Sequence, residues 1–281
     1  MAQFNIFQTI TDRIIAQLQD GYIPWEKPWS GTRGGAISGA TGKPYSLLNQ
    51  MLLGKPGEYY TFNQIQAKGG QVRKGEKSHI VVFWKQIPVV ETDAEGKQVE
   101  TLIPMLRYYN VFHIDQCDGI QPQERPPVEI VHPAADDMIT AYSRREKLLI
   151  HHQRGDEAYY SPSRDCVVLP LKEQFNSISE YFSTAFHELT HSTGHSSRLN
   201  RLKSTAHFGS TEYSKEELVA EIGAAALLNM TGIETKRSSR KNAAYIQSWL
   251  SVLQNDNRMI VTAASAASKA VDYILGESTQ Q

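Results

Sequence analysis

The chain has 281 residues, room for two domains of ordinary size, with 40% hydrophobic and 21% charged residues and a formal net charge of −1. That balance excludes a chain that is acidic or basic throughout, and no apolar run nears the ~20 residues of a membrane-spanning helix. Cys117 and Cys166 cannot make a disulfide framework, and the opening MAQFNIFQTI lacks the basic stretch and apolar core of a signal peptide, so a reducing cytoplasm is the expected compartment.

Ile6, Phe7, Ile10, Ile14, Ile15 and Leu18 recur at helical spacing and predict an amphipathic helix ending near Gly21. From Tyr22 to Tyr45 prolines and glycines rule out a long helix or strand, which leaves an ordered loop or a binding loop. Its GATGKP segment is not a phosphate loop, because Pro44 replaces the required Ser or Thr and Ile37 stands in the first glycine's place. Thr61 caps a short helix, TFNQIQAKG, and HIVVFWKQIPVV and TLIPMLRYYNVFHI then read as the two strands of a long β-hairpin. Four prolines within QPQERPPVEIVHP mark a linker over 121–133, so the fragment ending near Gln121 is expected to fold alone. Beyond the linker come a helix over about 134–148, short strands near 149–153, 157–160 and 166–169, and then mostly helix. This is an α+β pattern of two domains, a mixed α/β unit over 1–120 and a helical unit with a small antiparallel sheet over 134–281.

The strongest chemical signal is His187-Glu188-Leu189-Thr190-His191 within an apolar-periodic helix. Positions i and i+4 share a helix face, so both imidazoles can reach one ion while Glu188 points to its open side. At usual residue frequencies of roughly 3% His and 6% Glu, this spacing arises by chance about once in 70 chains of this length, so context must support it. Two histidines do not complete a site. The pattern with a third histidine after the glycine fails, because Ser197 occupies that place and His195 is out of step. Downstream, YSKEELVAEIGAAALL predicts a helix capped by Ser214 with Glu217 as its capping-box partner. Glu217 and Glu221 again share a face, which suggests Glu217 as the third ligand and Glu221 as a carboxylate behind one histidine, with Glu221 or Glu216 as substitutes for Glu217. Zinc suits these donors, with another divalent ion such as manganese as the alternative. Glu188 is then the catalytic base.

Charge is uneven along the chain: the first 90 residues hold ten basic against five acidic side chains. Aromatic residues lie among those cations, as single-stranded DNA binding requires. The candidates are Trp25, Lys27 and Trp29 in the proline-rich loop, Lys43 and Tyr45 after it, and Arg73, Lys74 and Lys77 before the hairpin. Trp84 and Lys85 lie on the first hairpin strand, and Arg107 and Tyr108 on the second. The competing reading makes the tryptophans loop anchors packed on the core.

The segments IFQTITDRIIAQLQDGYIPWEKPW, PYSLLNQMLL, YYTFNQIQAKGGQVRKGEKSHIVVFWK, RYYNVFHIDQ, HELTHSTGHSSRLNR and EELVAEIGAAALL together resemble the ArdC antirestriction proteins of conjugative plasmids. The N-terminal domain of that family is also similar to that of TraC-type plasmid primases. The resemblance implies a single-stranded-DNA-binding N-terminal domain and a zincin-like metallopeptidase domain. It also implies protection of incoming plasmid DNA from restriction, acting in the recipient cell or carried into it. It supports His187, His191 and Glu217 as ligands and Glu188 as the catalytic glutamate. Two other functions fit the same parts: a metalloprotease acting on DNA-bound proteins, and a non-catalytic strand-coating protein with a structural metal. The expected partners are therefore single-stranded DNA and a protein substrate, and no membrane.

Overall fold

The computed structural model describes residues 5–25, 35–92, 98–123, 135–202, 210–233 and 239–277. Helix α1 (Ile6–Gln19) starts where the Asn5 side chain accepts the backbone N–H groups of Phe7 and Gln8, and it buries Ile10, Ile14 and Leu18. The chain leaves it through Gly21 at φ 78°, a conformation that favours glycine. β1 (Ala36–Ser38), α2 (Leu47–Leu53), β2 (Gly57–Thr61) and α3 (Phe62–Ala67) follow, and Thr61 and Gln64 form the expected capping box of α3. β3 (Gln71–Val72) pairs with β6 (Cys117–Asp118) as a small ribbon.

The long hairpin is β4 (His79–Thr92) with β5 (Gln98–His113), antiparallel and in register from His79 opposite Val111 to Thr92 opposite Gln98. The sheet order is β1-β2-β5-β4, which leaves β4 at an edge. Part of that edge is closed from the side. The Asn49 amide of α2 donates to the Val82 carbonyl at 2.7 Å and accepts the Val82 N–H at 2.8 Å, as a neighbouring strand would.

In the C-terminal part, α4 (Ala135–Glu146) precedes β7 (Leu149–Gln153), β8 (Tyr159–Ser161) and β9 (Cys166–Pro170). The sheet order is β7-β9-β8. β8 runs antiparallel to β9 as expected, but β7 is parallel to β9, so the sheet is mixed and not antiparallel throughout. A tight turn through Asp165, at φ 47°, folds β8 back along β9, and β7 is left to pair on the far side of β9. Side-chain alternation carries no information about strand direction, so the sequence could not reveal this. The long helices α5 (Ile178–Ser192), α6 (Thr211–Met230), α7 (Ser239–Asn255) and α8 (Met259–Leu275) complete the fold. Among the described residues no helix is long and apolar enough to cross a membrane.

The main core spans both parts. Ile10, Ile14, Leu18, Trp25, Met51 and Leu52 pack in one cluster with Leu218, Ile222, Trp249, Leu253 and Ile260. Burying an apolar side chain of this size is worth about 1.5–3 kcal/mol, so cutting the chain near Gln121 would strip several such residues of their partners. The expectation that this fragment folds alone is therefore revised. Of the proline-rich junction, residues 121–123 are described. Gln123 is held to the N-terminal sheet through its N–H to Glu58 Oε1 at 3.2 Å and its side chain to the Gly39 carbonyl at 2.5 Å.

Candidate metal centre and nucleic-acid surface

Ser177 caps α5 by accepting the Glu180 N–H, and the helix buries Tyr181, Phe182, Ala185, Phe186 and Leu189 while His187 and His191 share its other side. α6 begins four residues earlier than the sequence suggests, because Ser210, and not Ser214, is its N-cap and accepts the Tyr213 N–H. Glu217 is therefore released from the capping box and faces α5. Gly223 lets the two helices approach closely, since a Cβ there would come within 2.7 Å of Thr190 Cγ2.

His187 Nε2 and His191 Nε2 lie 3.1 Å apart, and the two Glu217 oxygens lie 3.5 Å from one and 3.5 Å from the other. A tetrahedral ion with bonds of about 2.0–2.1 Å sets its ligand atoms roughly 3.3–3.4 Å apart, so these three side chains stand near that spacing, each histidine facing a different Glu217 oxygen. One ligand atom from each lies within 4.8 Å of the others, and among the described residues this is the one His/Cys/Asp/Glu group with such convergence. Glu188, next to His187, is buried.

Two carboxylates stand behind the histidines, Glu221 near His187 and Glu216 at His191. Glu221 Oε1 is 4.0 Å from His187 Nδ1, too long for a hydrogen bond. Glu216 instead meets His191 Nδ1 at 3.2 Å. Donation of Nδ1–H to Glu216 leaves the His191 Nε2 lone pair facing His187 and Glu217. Glu216 is in turn gripped by Arg201, whose Nε and Nη2 donate to its two oxygens at 2.9 Å each. Arg201 also donates to Thr193 Oγ1 and the Thr190 carbonyl, both at 2.9 Å, which ties the end of α5 to α6. Sequence reasoning missed Arg201 and this role of Glu216, because Arg201 lies outside both helices and no local spacing relates it to them. It also missed Tyr213, whose hydroxyl bonds Glu217 one helical turn on.

Electrostatics follow the geometry. Burial pushes the His187 imidazole down, but Glu217, Glu221 and Glu188 outweigh it and raise its pKa to about 9. Burial likewise raises Glu216 and Glu217. Bonds from His191 and Arg201 to the first, and from His187 and Tyr213 to the second, leave both below the ordinary carboxylate value. Burial and the neighbouring Glu217 charge push Tyr213 up to about 12.

The loop after α5 is fastened separately. Arg198, 2% exposed, donates to both Asp165 oxygens at 2.8 Å and to the Ser192 carbonyl at 2.9 Å, and meets Glu146 at 3.3 Å.

The candidate DNA-binding residues fare unevenly. Trp25 is 0% exposed and meets Trp249 edge-on, with ring centroids 6.2 Å apart, so it is a core anchor and cannot stack on a base. Lys27 and Trp29 lie outside the described residues. Lys43 is exposed, while Tyr45 is half-buried against Tyr59. Arg73, Lys74 and Lys77 are exposed, with Arg73 paired to Glu76 and Asp118. On the hairpin, strand alternation sorts the rest into two faces. Phe83, Lys85, Arg107 and Tyr109 share one face, where Phe83 stacks on Tyr109 at 5.0 Å and 8°. Trp84 and Tyr108 share the other, beyond the buried Val82 and Leu106.

Residues 4–112 match the family described as the N-terminal domain of anti-restriction factor ArdC, and residues 134–266 match the zincin-like metallopeptidase family. A DNA primase TraC from Escherichia coli is 36% identical over 98% of this chain, which spans only 27% of that primase. The crystal structure of the antirestriction ArdC protein from the R388 plasmid in its Mn(II)-bound form is 34% identical. It covers 99% of this chain and is itself covered completely, with a TM-score of 0.75. Its metal-free form is 35% identical over 97% of both chains, with a TM-score of 0.73. On these matches across its whole length, the chain belongs to the ArdC antirestriction protein family.

Proposed function

We propose that this protein binds single-stranded DNA through residues 1–120, joined by 121–133 to a metallopeptidase-type centre in 134–281, and thereby protects incoming plasmid DNA from restriction. The observation that carries the reading is the convergence of His187, His191 and Glu217 at the spacing of a tetrahedral ion's ligands. The donors are two imidazoles and a carboxylate, which suit zinc or manganese, and the similar R388 protein has been crystallised with Mn(II). A divalent cation held by His187, His191 and Glu217 would supply polarisation of a scissile carbonyl and a lowered pKa, about 7, for a water. Glu188 takes the proton from that water and passes it to the leaving nitrogen of a peptide bond. Glu216 and Arg201 hold the His191 ring and its tautomer, and Tyr213 orients Glu217.

For DNA, the support is the exposed aromatic and cationic face of the hairpin. Tyr109 is 57% exposed and stacked on Phe83, with Arg107 next to it on the same face and Lys85 one rung further along. Such a face offers stacking and phosphate contacts, and stacking requires unpaired bases. A labelled single strand and its duplex, titrated at two salt concentrations, test the reading. The single strand is expected to bind more tightly, and Tyr109→Ala to weaken it by about 1–3 kcal/mol. Equal affinity for duplex would remove the single-strand reading. Plasmid transfer into restricting and non-restricting hosts, with parent and Glu188→Ala chains, then shows whether protection requires the metal chemistry.

A further inference from the structure

Where the hairpin passes over the C-terminal helices it leaves a cavity of about 380 Å³, within the size range of roughly 300–1,000 Å³ common for small-molecule sites. Its walls come from both halves of the chain. Trp84 of β4 forms one side, Leu199 and Arg201 of the loop after α5 form a second, and Thr262, Ser265 and Lys269 of α8 line a third. Trp84 is 46% exposed, with Phe7 tilted against it at 6.3 Å between centroids, so the indole is fixed yet still presents open ring surface. Lys269 is exposed, and among the described residues no carboxylate lies within ion-pairing distance of it.

An open indole, an unpaired ammonium and two hydroxyl-bearing side chains around one cavity match the parts of a nucleotide: a planar base to stack and a phosphate to neutralise. Apolar packing alone does not account for the ammonium at the joint, and of the hydroxyls that of Thr262 already donates to the Met259 carbonyl at 3.1 Å. We infer that this cavity is a nucleotide-docking site for the bound single strand, with a base on Trp84 and its phosphate at Lys269, so that the strand touches both halves of the chain. This rests on the DNA-binding reading above and extends it beyond residues 1–120. It also sets the strand beside Arg201, the residue that grips Glu216 behind His191.

The test uses the full chain and a fluorescein-labelled oligothymidylate, with a second oligonucleotide carrying one 5-iododeoxyuridine for photo-crosslinking. Trp84→Ala should weaken binding roughly 5- to 150-fold, the weight of one base–aromatic stack, and Trp84→Phe should recover most of it. Lys269→Ala should reduce the slope of log affinity against log salt by about 0.7, the signature of one lost phosphate contact. Lys172→Ala, an exposed charge already paired with Asp136, should leave that slope unchanged. Crosslinks should map to Trp84. Parent-like affinity and salt slope in Trp84→Ala and Lys269→Ala, with crosslinks on the Phe83 and Tyr109 face alone, would overturn the pocket and keep the DNA-binding reading. A parent chain that binds no single strand overturns both.

Discussion

The metal centre and the hairpin surface are held in opposite ways. Around His191 polar side chains place one another: Glu216 is held by Arg201, Arg201 by Thr190 and Thr193, and Arg198 is held against Asp165 and Glu146. On the exposed hairpin face the main side-chain constraint is the stack of Phe83 on Tyr109, and Lys85 and Arg107 stand in solvent. A metal ion requires ligand atoms set within fractions of an ångström, whereas a strand of varied sequence requires rings and charges that can adjust. Polar contacts are therefore concentrated where one atom must be met, and the face proposed for a polymer carries few of them.

If that contrast is right, the largest effect belongs to a residue that only appears to be on the DNA side. Trp25→Ala should cost about 3–5 kcal/mol of stability, seen as a lower urea midpoint, because the indole fills the core shared by both halves. A variant that kept its stability and lost affinity for DNA would return Trp25 to the surface. Next comes Glu216→Ala, which should weaken metal binding roughly 10- to 100-fold through the freed His191 ring, with Glu221→Ala costing less. Chelator competition measures both, and the reverse order would exchange their roles.

The smallest effect concerns pH. Burial raises the Asp165 carboxyl, but bonds from Arg198 and Tyr160 win and hold its pKa below the ordinary 3.8. A depressed folded pKa gives stability that is present above 3.8 and is lost as pH falls through the folded value. Asp165→Asn should therefore reduce the loss of stability seen on acidification below pH 3.8, as read from urea midpoints across that range. An unchanged acid profile would mean that the loop is not fastened by this charge.

The two regions also differ in how far the sequence revealed them. The histidine pair lies on one helix, where a period of 3.6 fixes which residues meet, and the same rule applied to α6 pointed to Glu217 while leaving Glu221 and Glu216 as alternatives. The helix start differs because Ser is a good cap at either position, and the structure uses Ser210, whose side chain accepts the Tyr213 N–H. Arg201 and Glu216 come together through a loop, where spacing carries no geometry. On the N-terminal side, residue types marked a region but not the fate of single residues within it. Nothing local separates Trp25, which packs on Trp249 at the far end of the chain, from Trp84, which stays half open. The hairpin strands and their pairing were legible from alternation, but the shared core that joins the halves was not, since it depends on contacts between residues more than two hundred positions apart.

The most direct test of the account is metal analysis of the purified chain alongside its His187→Ala, Glu217→Ala and Glu188→Ala variants. One divalent ion per chain is expected in the parent and in Glu188→Ala, with losses in the other two exceeding the roughly 10- to 100-fold that a supporting residue is worth. Metal lost equally from Glu188→Ala, or kept by Glu217→Ala, would contradict it.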